Sequence, residues 1–299
     1  MQINGVEIED TFAEAFSMVA TRLQVTAANK RWAEIVAKEA VGFTTSIIEC
    51  GCEAGIENEI SPEDSLDGRA GYNLLFLAMK EDGLKEELVK RVGQTVMTSP
   101  TSACFNGLET EKKIDLGAKL RYFGDGYQIS KLYGERRFWR IPVMDGEFII
   151  EESVGIKDAI GGGNFLILGE DQTTVLKAAE RAVEVIKKMP GVILPFPGGV
   201  VRSGSKVGSK YDFLSAATNT RYCPAIKAQT ESDLSEEVGA VLEIVINGLS
   251  HKAIAKAIKA GIKAACIEGI VKISAGNYDG NLGSHIFNLT EILGEDNDD

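Results

Sequence analysis

Hydrophobic positions in the first half of the chain recur at helical spacing in three places. A first helix is predicted to begin after Asp10 as its N-cap and to carry on one face the side chains of Phe12, Phe16, Val19 and Leu23. The same spacing predicts two more helices, Lys30–Ala40 and the stretch through Leu84, Leu88, Val92 and Val96. These helices indicate a fold with substantial α content.

Apolar and β-branched runs between these helices predict strands. The predicted strands cover residues 43–49, 72–79, 101–105, 119–123 and 138–144. A turn containing Asp125 and Tyr127 separates the last two. Asp145-Gly146 then interrupts the pattern near the middle of the chain, so we expect two domains, residues 1–146 and 147–299.

The second half contains an internal repeat of a strand, a helix and a strand. Residues 163–168 align with residues 241–246, and the same offset of 78 positions brings the helix of Val175 onto the helix of Ala253. This alignment predicts that Phe165 and Glu243 occupy equivalent strand positions. Two βαβ units that share a sheet form a ferredoxin-like sandwich. We therefore predict an α+β fold of two related ferredoxin-like lobes, with antiparallel or mixed sheets and helices on one face.

The segment from Pro195 to Lys210 is the most distinctive stretch of the chain. Gly198 and Gly199 permit backbone conformations with positive φ, and Ser205 adds a hydroxyl group. The backbone N–H groups could hold an anionic or carbonyl-bearing ligand together with three basic side chains, Arg202, Lys206 and Lys210. The order of Ser and Lys differs from that of a nucleotide P-loop. The residues alone are compatible with a structural turn and with a ligand-binding loop.

Glu243 interrupts a nearly continuous apolar strand. A carboxylate there is costly unless it faces solvent, a partner or a cleft. Simple alternation would point Glu243 outward, away from Leu242, Ile244 and the core. If the side chain faces a cleft instead, desolvation raises its pKa and suits it to proton transfer near neutral pH. Both interpretations are open at this point.

Composition narrows the possible functions. The chain has 299 residues, 44% of them hydrophobic, so it can bury a large core. Five irregularly spaced cysteines and two histidines argue against a metal site and indicate a reducing compartment. A formal net charge of −12 argues against a nucleic-acid surface. With no long apolar run and a polar N-terminus, we expect no membrane span, no signal peptide and a cytoplasmic location. The acidic tail, residues 295–299, is expected to be solvated.

Several ordered motifs resemble the formylmethanofuran–tetrahydromethanopterin formyltransferase family. They run from Asp10-Thr11-Phe12-Ala13-Glu14-Ala15-Phe16 near the start to Ala275-Gly276-Asn277-Tyr278 near the end. Between them lie Phe123-Gly124-Asp125-Gly126-Tyr127, Gly162-Gly163-Asn164-Phe165, Pro195-Phe196-Pro197-Gly198-Gly199 and Ser203-Gly204-Ser205-Lys206-Val207-Gly208. The segment Arg137–Phe148 is similar to the form in methylotrophic bacteria, the D subunit of the formyltransferase/hydrolase complex.

The resemblance implies transfer of a formyl group between methanofuran and N5 of tetrahydromethanopterin in one-carbon metabolism. It also implies a homotetramer built as a dimer of dimers, no metal and no permanently bound cofactor. Glu243 matches the family's catalytic glutamate, which favours the cleft-facing interpretation. Candidate substrate-binding residues outside the Pro195–Lys210 segment are Asp125, Tyr127, Asn164, Asn277 and Tyr278. The alternative is a non-catalytic scaffold subunit of a formyltransferase/hydrolase complex.

Overall fold

The fold is known from a computed structural model, which describes residues 1–294 and so does not include the acidic tail. Its strands are β1 (Gln2–Ile3), β2 (Val6–Ile8), β3 (Phe12–Thr26), β4 (Glu53–Ile60), β5 (Gly71–Ala78), β6 (Ala103–Asn106), β7 (Lys113–Asp115), β8 (Ile129–Tyr133), β9 (Arg136–Val143), β10 (Gly146–Glu151), β11 (Ser153–Gly155), β12 (Lys157–Gly169), β13 (Val192–Ile193), β14 (Ser205–Val207), β15 (Ala216–Thr218), β16 (Ala240–Gly248), β17 (Ile270–Ser274) and β18 (His285–Asn288).

The α-helices are α1 (Lys30–Ala40), α2 (Ile47–Cys50), α3 (Glu81–Arg91), α4 (Gly117–Leu120), α5 (Gln172–Ile186), α6 (His251–Ala265) and α7 (Leu289–Gly294). Side chains cap the helices α1, α5 and α6, because Asn29, Asp171 and Ser250 accept hydrogen bonds from backbone N–H groups in their first turns. In the part of the chain that the structure describes, no helix combines the length and apolar character that a membrane crossing requires.

Contacts divide the chain into two compact units. The continuous unit is Ser17–Ala159, and the discontinuous unit joins Met1–Phe16 to the chain from Ile160 onward. The boundary expected at Gly146 differs from this division, since it falls in the turn between β9 and β10 of the continuous unit. The physical reason is strand pairing: β10 pairs with β6, while β2 pairs with β17.

The continuous unit is a βαββαβ fold. Its strands lie in the order β4-β5-β3-β6 with antiparallel neighbours, and α1 and α3 make the crossovers. Residues of both helices, such as Val36 and Leu84, pack with Leu23, Leu74 and Phe76 in one core. Strands β10, β9 and β8 extend the sheet beyond β6.

The discontinuous unit has the same topology. Its strands lie in the order β17-β12-β16-β13, all antiparallel, with α5 and α6 as crossovers, and β2 extends the sheet beyond β17. The helices pack on one face of the sheet around Phe165, Ile244 and Ile246. The predicted α+β fold of two ferredoxin-like lobes is thereby confirmed.

The repeat is real, but the predicted offset is wrong by one residue through the first strand and the helix. The caps Asp171 and Ser250 stand 79 positions apart, and the buried residues of α5, from Val175 to Ile186, match those of α6, from Ile254 to Ala265, at the same offset. A one-residue slip moves a strand side chain to the other face. Glu243 is therefore equivalent to Asn164, and Phe165 is equivalent to Ile244.

Three other predictions in the first half are wrong. Residues 12–26 form the strand β3, which is buried along most of its length, so its apolar residues do not alternate and happen to fit helical spacing. Residues 43–49 form a loop and the start of α2, where Ser46 accepts a hydrogen bond from the N–H of Ile48. Residues 119–123 form the end of α4 and a 3₁₀ turn, in which Arg121 stacks on Tyr122 and Trp139.

Candidate active site

Glu243 lies on the sheet face opposite α5 and α6. Its neighbour in the strand, Ile244, is fully buried under the helices, and residues alternate between the two faces of a strand. Leu166 of β12 stands directly opposite Glu243 across the ladder, and Asn164 lies two positions further along on the same face. This face, rather than the helical core, holds the candidate site.

The carboxyl group of Glu243 is desolvated and has no counter-charge among the described residues. Its side chain keeps some solvent exposure, but the protein atoms packed around it raise the pKa of the carboxyl group to about 7. Within residues 1–294, no lysine, arginine or histidine forms an ion pair with it. A carboxyl group in this state exists in both protonation forms near neutral pH and can both accept and return a proton.

The glycine-rich segment is attached directly to this strand. Val201 donates its N–H to the carbonyl of Glu243 over 2.8 Å, and Glu243 donates in return to Val201 over 2.9 Å. Gly199, at φ +89°, approaches the core so closely that a Cβ atom would lie 2.9 Å from Leu194 and 3.0 Å from Val183. Gly198, at φ +67°, has open space around it. The two glycines therefore set the path of the chain into Val201.

Asn164 connects this face to the loop that follows β17. Its amide accepts a hydrogen bond from the N–H of Gly276 over 2.6 Å and donates to the carbonyl of Gly276 over 3.1 Å. The next residue, Asn277, donates through its side chain to the hydroxyl of Thr11 and the carbonyl of Phe12. Asn164 and Asn277, which the sequence predicted as ligand residues, thus hold the backbone that leads to Tyr278.

Glu14 is a buried carboxylate for which the sequence predicted no site role. This carboxylate on β3 is 2% exposed and accepts backbone hydrogen bonds from four residues of one loop, Tyr278, Gly280, Leu282 and Gly283. Burial alone would raise its pKa, but the four donors hold the pKa below its usual value. The signal was a carboxylate within an apolar stretch, Phe-Ala-Glu-Ala-Phe, that was interpreted as a helix.

The phenol of Tyr278 is affected by the charges of both carboxyl groups. Burial, and then the charges of Glu243 and Glu14, raise the pKa of its phenol, so it stays neutral at physiological pH. Its ring contacts that of Phe16, with centroids 6.4 Å apart. An anionic carboxylate, a neutral phenol and a carboxyl group that titrates near neutrality thus influence one another electrostatically, and such divergent pKa values are typical of acid–base sites.

The basic part of the Pro195–Lys210 segment is an exposed hairpin. Ser205 and Lys206 lie on β14, which pairs only with β15 among the described strands, and Lys206 donates to the hydroxyl of Thr220 over 3.3 Å. Arg202, one residue after Val201, and Lys210, near the tip, are also exposed. Arg202 thus follows directly after the residue that pairs with Glu243, while Ser205, Lys206 and Lys210 lie on the hairpin.

Two predicted site residues belong to the continuous unit. Asp125 has the left-handed conformation, at φ 51°, and ends a 3₁₀ turn, while Tyr127 is 80% exposed. Both lie in the turn that the sequence predicted. Among residues 1–294, no three histidine, cysteine, aspartate or glutamate side chains are grouped as a metal site.

Comparisons with known proteins match this chain over nearly its whole length. The sequence pattern described as formylmethanofuran-tetrahydromethanopterin formyltransferase matches residues 1–143, and the pattern described as the proximal lobe of this family matches residues 146–292. A formylmethanofuran–tetrahydromethanopterin formyltransferase of Methylococcus capsulatus is 57% identical over 297 residues, which cover 98% of this chain and 100% of that protein.

Two solved structures are also similar. The formyltransferase/hydrolase complex of Methylorubrum extorquens, solved with methylofuran, contains a chain with a TM-score of 0.96 and 48% identity, with 99% of each chain covered. The formylmethanofuran:tetrahydromethanopterin formyltransferase of Methanosarcina barkeri has a TM-score of 0.93 and 50% identity, with 98% of this chain and 100% of that chain covered. The chain therefore belongs to the formylmethanofuran–tetrahydromethanopterin formyltransferase family.

Proposed function

We propose that this chain is an N-formyltransferase that moves a formyl group between formylmethanofuran and N5 of tetrahydromethanopterin in one-carbon metabolism. The observation that carries the proposal is Glu243, a desolvated carboxyl group with a pKa of about 7 in a chain similar along its length to enzymes of that name. Such a perturbed carboxyl group is typical of acid–base sites and favours an active enzyme over a scaffold subunit.

In the proposed reaction, the secondary amine N5 attacks the formyl carbon of the formamide. A C–N5 bond forms, the carbonyl oxygen becomes an oxyanion, and Glu243 accepts the proton of N5. The tetrahedral intermediate then collapses, the bond to the methanofuran nitrogen breaks, and Glu243 returns the proton to the leaving amine. No group of the protein becomes covalently attached. The proton taken from N5 is returned to the leaving amine, so atoms and charges balance.

The neighbours of Glu243 fit this scheme. The neutral phenol of Tyr278 is a hydrogen-bond donor, and a donor aimed at the oxyanion stabilises the transition state. We assign substrate contacts to Asn164 and Asn277 as well. We assign the binding of anionic substrate tails to Arg202, Ser205, Lys206 and Lys210, and backbone contacts to Gly198 and Gly199. We also assign substrate contacts to Asp125 and Tyr127.

Methanofuran and tetrahydromethanopterin act here as substrates rather than as permanently bound cofactors. We further propose a cytoplasmic homotetramer. The relative from Methylorubrum extorquens lies in a formyltransferase/hydrolase complex, so other subunits of such a complex are the protein partners we propose.

The direct test is to incubate the purified chain with formylmethanofuran and tetrahydromethanopterin and to follow the absorbance of the formyl-pterin. Product should form in proportion to the amount of chain and should be absent without either substrate. The absence of product from folded chain at any substrate concentration would reject the proposed function and favour the scaffold alternative.

A further inference from the structure

The carboxylate of Glu14 is an unusual group to find inside this fold. It has no cationic partner among residues 1–294, and each of its oxygens accepts two backbone N–H bonds. Oε2 receives the N–H groups of Tyr278 at 2.7 Å and of Gly280 at 3.0 Å. Oε1 receives those of Leu282 at 2.5 Å and of Gly283. The carboxylate therefore fills an anion-binding concavity made by the protein's own backbone.

The loop bound in this way, residues 276–284, has no regular secondary structure between β17 and β18. Asp279 and Gly280 have positive φ angles of 57° and 74°, and this turn of the backbone lets the N–H groups on both sides of Asp279 reach the carboxylate. Gly283 comes so close to β3 that a Cβ atom would lie 2.5 Å from the carbonyl oxygen of Ala15. Beyond Asn277, Glu14 is thus the principal anchor of the loop to the sheet.

The loop matters because it carries Tyr278. The first anchors, Asn164 and Asn277, hold the loop on the face of Glu243 as far as residue 277. The N–H of Tyr278 itself is bound by Glu14, and its ring rests on Phe16, two positions further along β3. Asn164 lies on the same sheet face as Glu243 and binds Gly276, two residues before Tyr278, so the segment that carries the phenol starts on this face.

We infer that Glu14 is a positioning residue, which binds the backbone of residues 278–283 and so holds the hydroxyl group of Tyr278 beside Glu243. The inference rests on the proposed function for its effect on the rate. The contact between Glu14 and the loop is a property of the fold alone. Glu14 touches no substrate in this account and acts through Tyr278.

The test compares Glu14→Gln, Tyr278→Phe and the double variant. The amide of Gln keeps the shape but presents an NH₂ group to two N–H donors, so half of the anchor is lost. We expect each single variant to lower kcat by about tenfold or more, with KM changed by less than about threefold. The double variant should be about as slow as the slower single variant, because both changes remove the same placed hydroxyl group.

The matched control is Glu57→Gln, which alters another buried carboxylate, the partner of Arg22 in the continuous unit. We expect it to lower stability without lowering kcat and without any coupling to Tyr278→Phe. If the fold-loss of kcat in the Glu14 and Tyr278 double variant equals the product of the two single losses, the two residues act independently and the inference is overturned. If Glu14→Gln does not fold, Gly283→Ala displaces the same loop with Glu14 intact and must show the same coupling to Tyr278→Phe.

Amide hydrogen exchange separates this inference from the proposed function. The N–H groups of Tyr278, Gly280, Leu282 and Gly283 should be protected in the parent and should exchange at least about tenfold faster in Glu14→Gln. Unchanged protection in a folded variant would overturn the anchoring role. A parent chain that shows the protection but transfers no formyl group would reject the proposed function and leave the anchoring role standing.

Discussion

Glu14 and Glu243 show how the surroundings of a residue decide the chemistry of one functional group. Both are glutamates of the discontinuous unit, yet backbone donors hold the pKa of Glu14 below its usual value and desolvation raises that of Glu243 to about 7. Glu14 is therefore a permanent anion that organises backbone, and Glu243 exchanges a proton near neutral pH. The first is a structural anchor and the second is the proposed acid–base group.

The raised pKa of Glu243 predicts a pH-dependent effect of Glu243→Gln on stability. From its usual value of 4.5 up to about 7, the folded state keeps a proton that the unfolded state has released, so the free energy of unfolding falls as pH rises. The Gln variant has no carboxyl group at this position, so its free energy of unfolding does not fall in this way. Relative to the parent it should gain up to about 3 kcal/mol between about pH 5 and pH 8, less any screening by water. Urea denaturation at both pH values measures the gain, and a constant difference would contradict the raised pKa.

Gly198 and Gly199 provide a second prediction for single residues. Alanine at either position meets the cost of positive φ, about 1–2 kcal/mol. At Gly199 the new Cβ also meets Leu194 and Val183 within 3.0 Å, which adds about 1–3 kcal/mol of overpacking. Gly199→Ala should therefore have a lower urea midpoint than its matched neighbour Gly198→Ala. Equal midpoints would mean that the close approach is relieved at no cost.

At the scale of elements, local patterns predicted what local interactions determine. The helix α1 has one apolar face, and the strand at residues 72–79 is apolar on both faces. Sequence periodicity predicted both elements. The strand β3 was missed because its polar residues are bound by distant partners: Glu14 by the loop after β17, and Arg22 by Glu57. Those partners lie far away in sequence, so no local spacing reports them.

The candidate site was predictable to a similar extent. Glu243 stood out as a carboxylate in an apolar strand, and the resemblance assigned its role. The predicted offset of the repeat was wrong by one residue, because both strands have apolar residues at neighbouring positions and the sequences align almost equally well at 78 and at 79. The caps Asp171 and Ser250 give the register, and with it the equivalence of Asn164 and Glu243. The role of Glu14 depends on the loop conformation, which sequence periodicity does not encode.

The hairpin of β14 and β15 gives a prediction at this scale. The side chains of β14 are exposed, and the ammonium group of Lys206 hydrogen-bonds to the hydroxyl of Thr220, so Lys206→Ala should fold as the parent does. If the hairpin binds anionic substrate tails, KM should rise in this variant, and the rise should shrink at high salt. Lys188→Ala, which removes the same charge at an exposed site after α5, is the control. An unchanged KM for both substrates would make the hairpin structural at this position.

At the scale of the whole molecule, charge governs association. A net charge of −12 makes identical subunits repel one another, and salt screens this repulsion over about 10 Å at 0.1 M. We expect a dimer or tetramer that dissociates at low salt and assembles more tightly as salt increases. Sedimentation across a salt series measures this behaviour, and a monomer at every salt concentration would contradict it.

The most direct test of the account is the turnover of Glu243→Gln in the formyl-transfer assay. The amide preserves the shape of the side chain and cannot take the proton of N5, so the folded structure and the substrate affinity should change little, apart from the pH-dependent gain in stability. We predict that kcat falls by about 10²–10⁴-fold and that the pH profile loses the limb near pH 7. A Gln variant that turns over within about threefold of the parent would contradict the account, because Glu243 would then not transfer the proton.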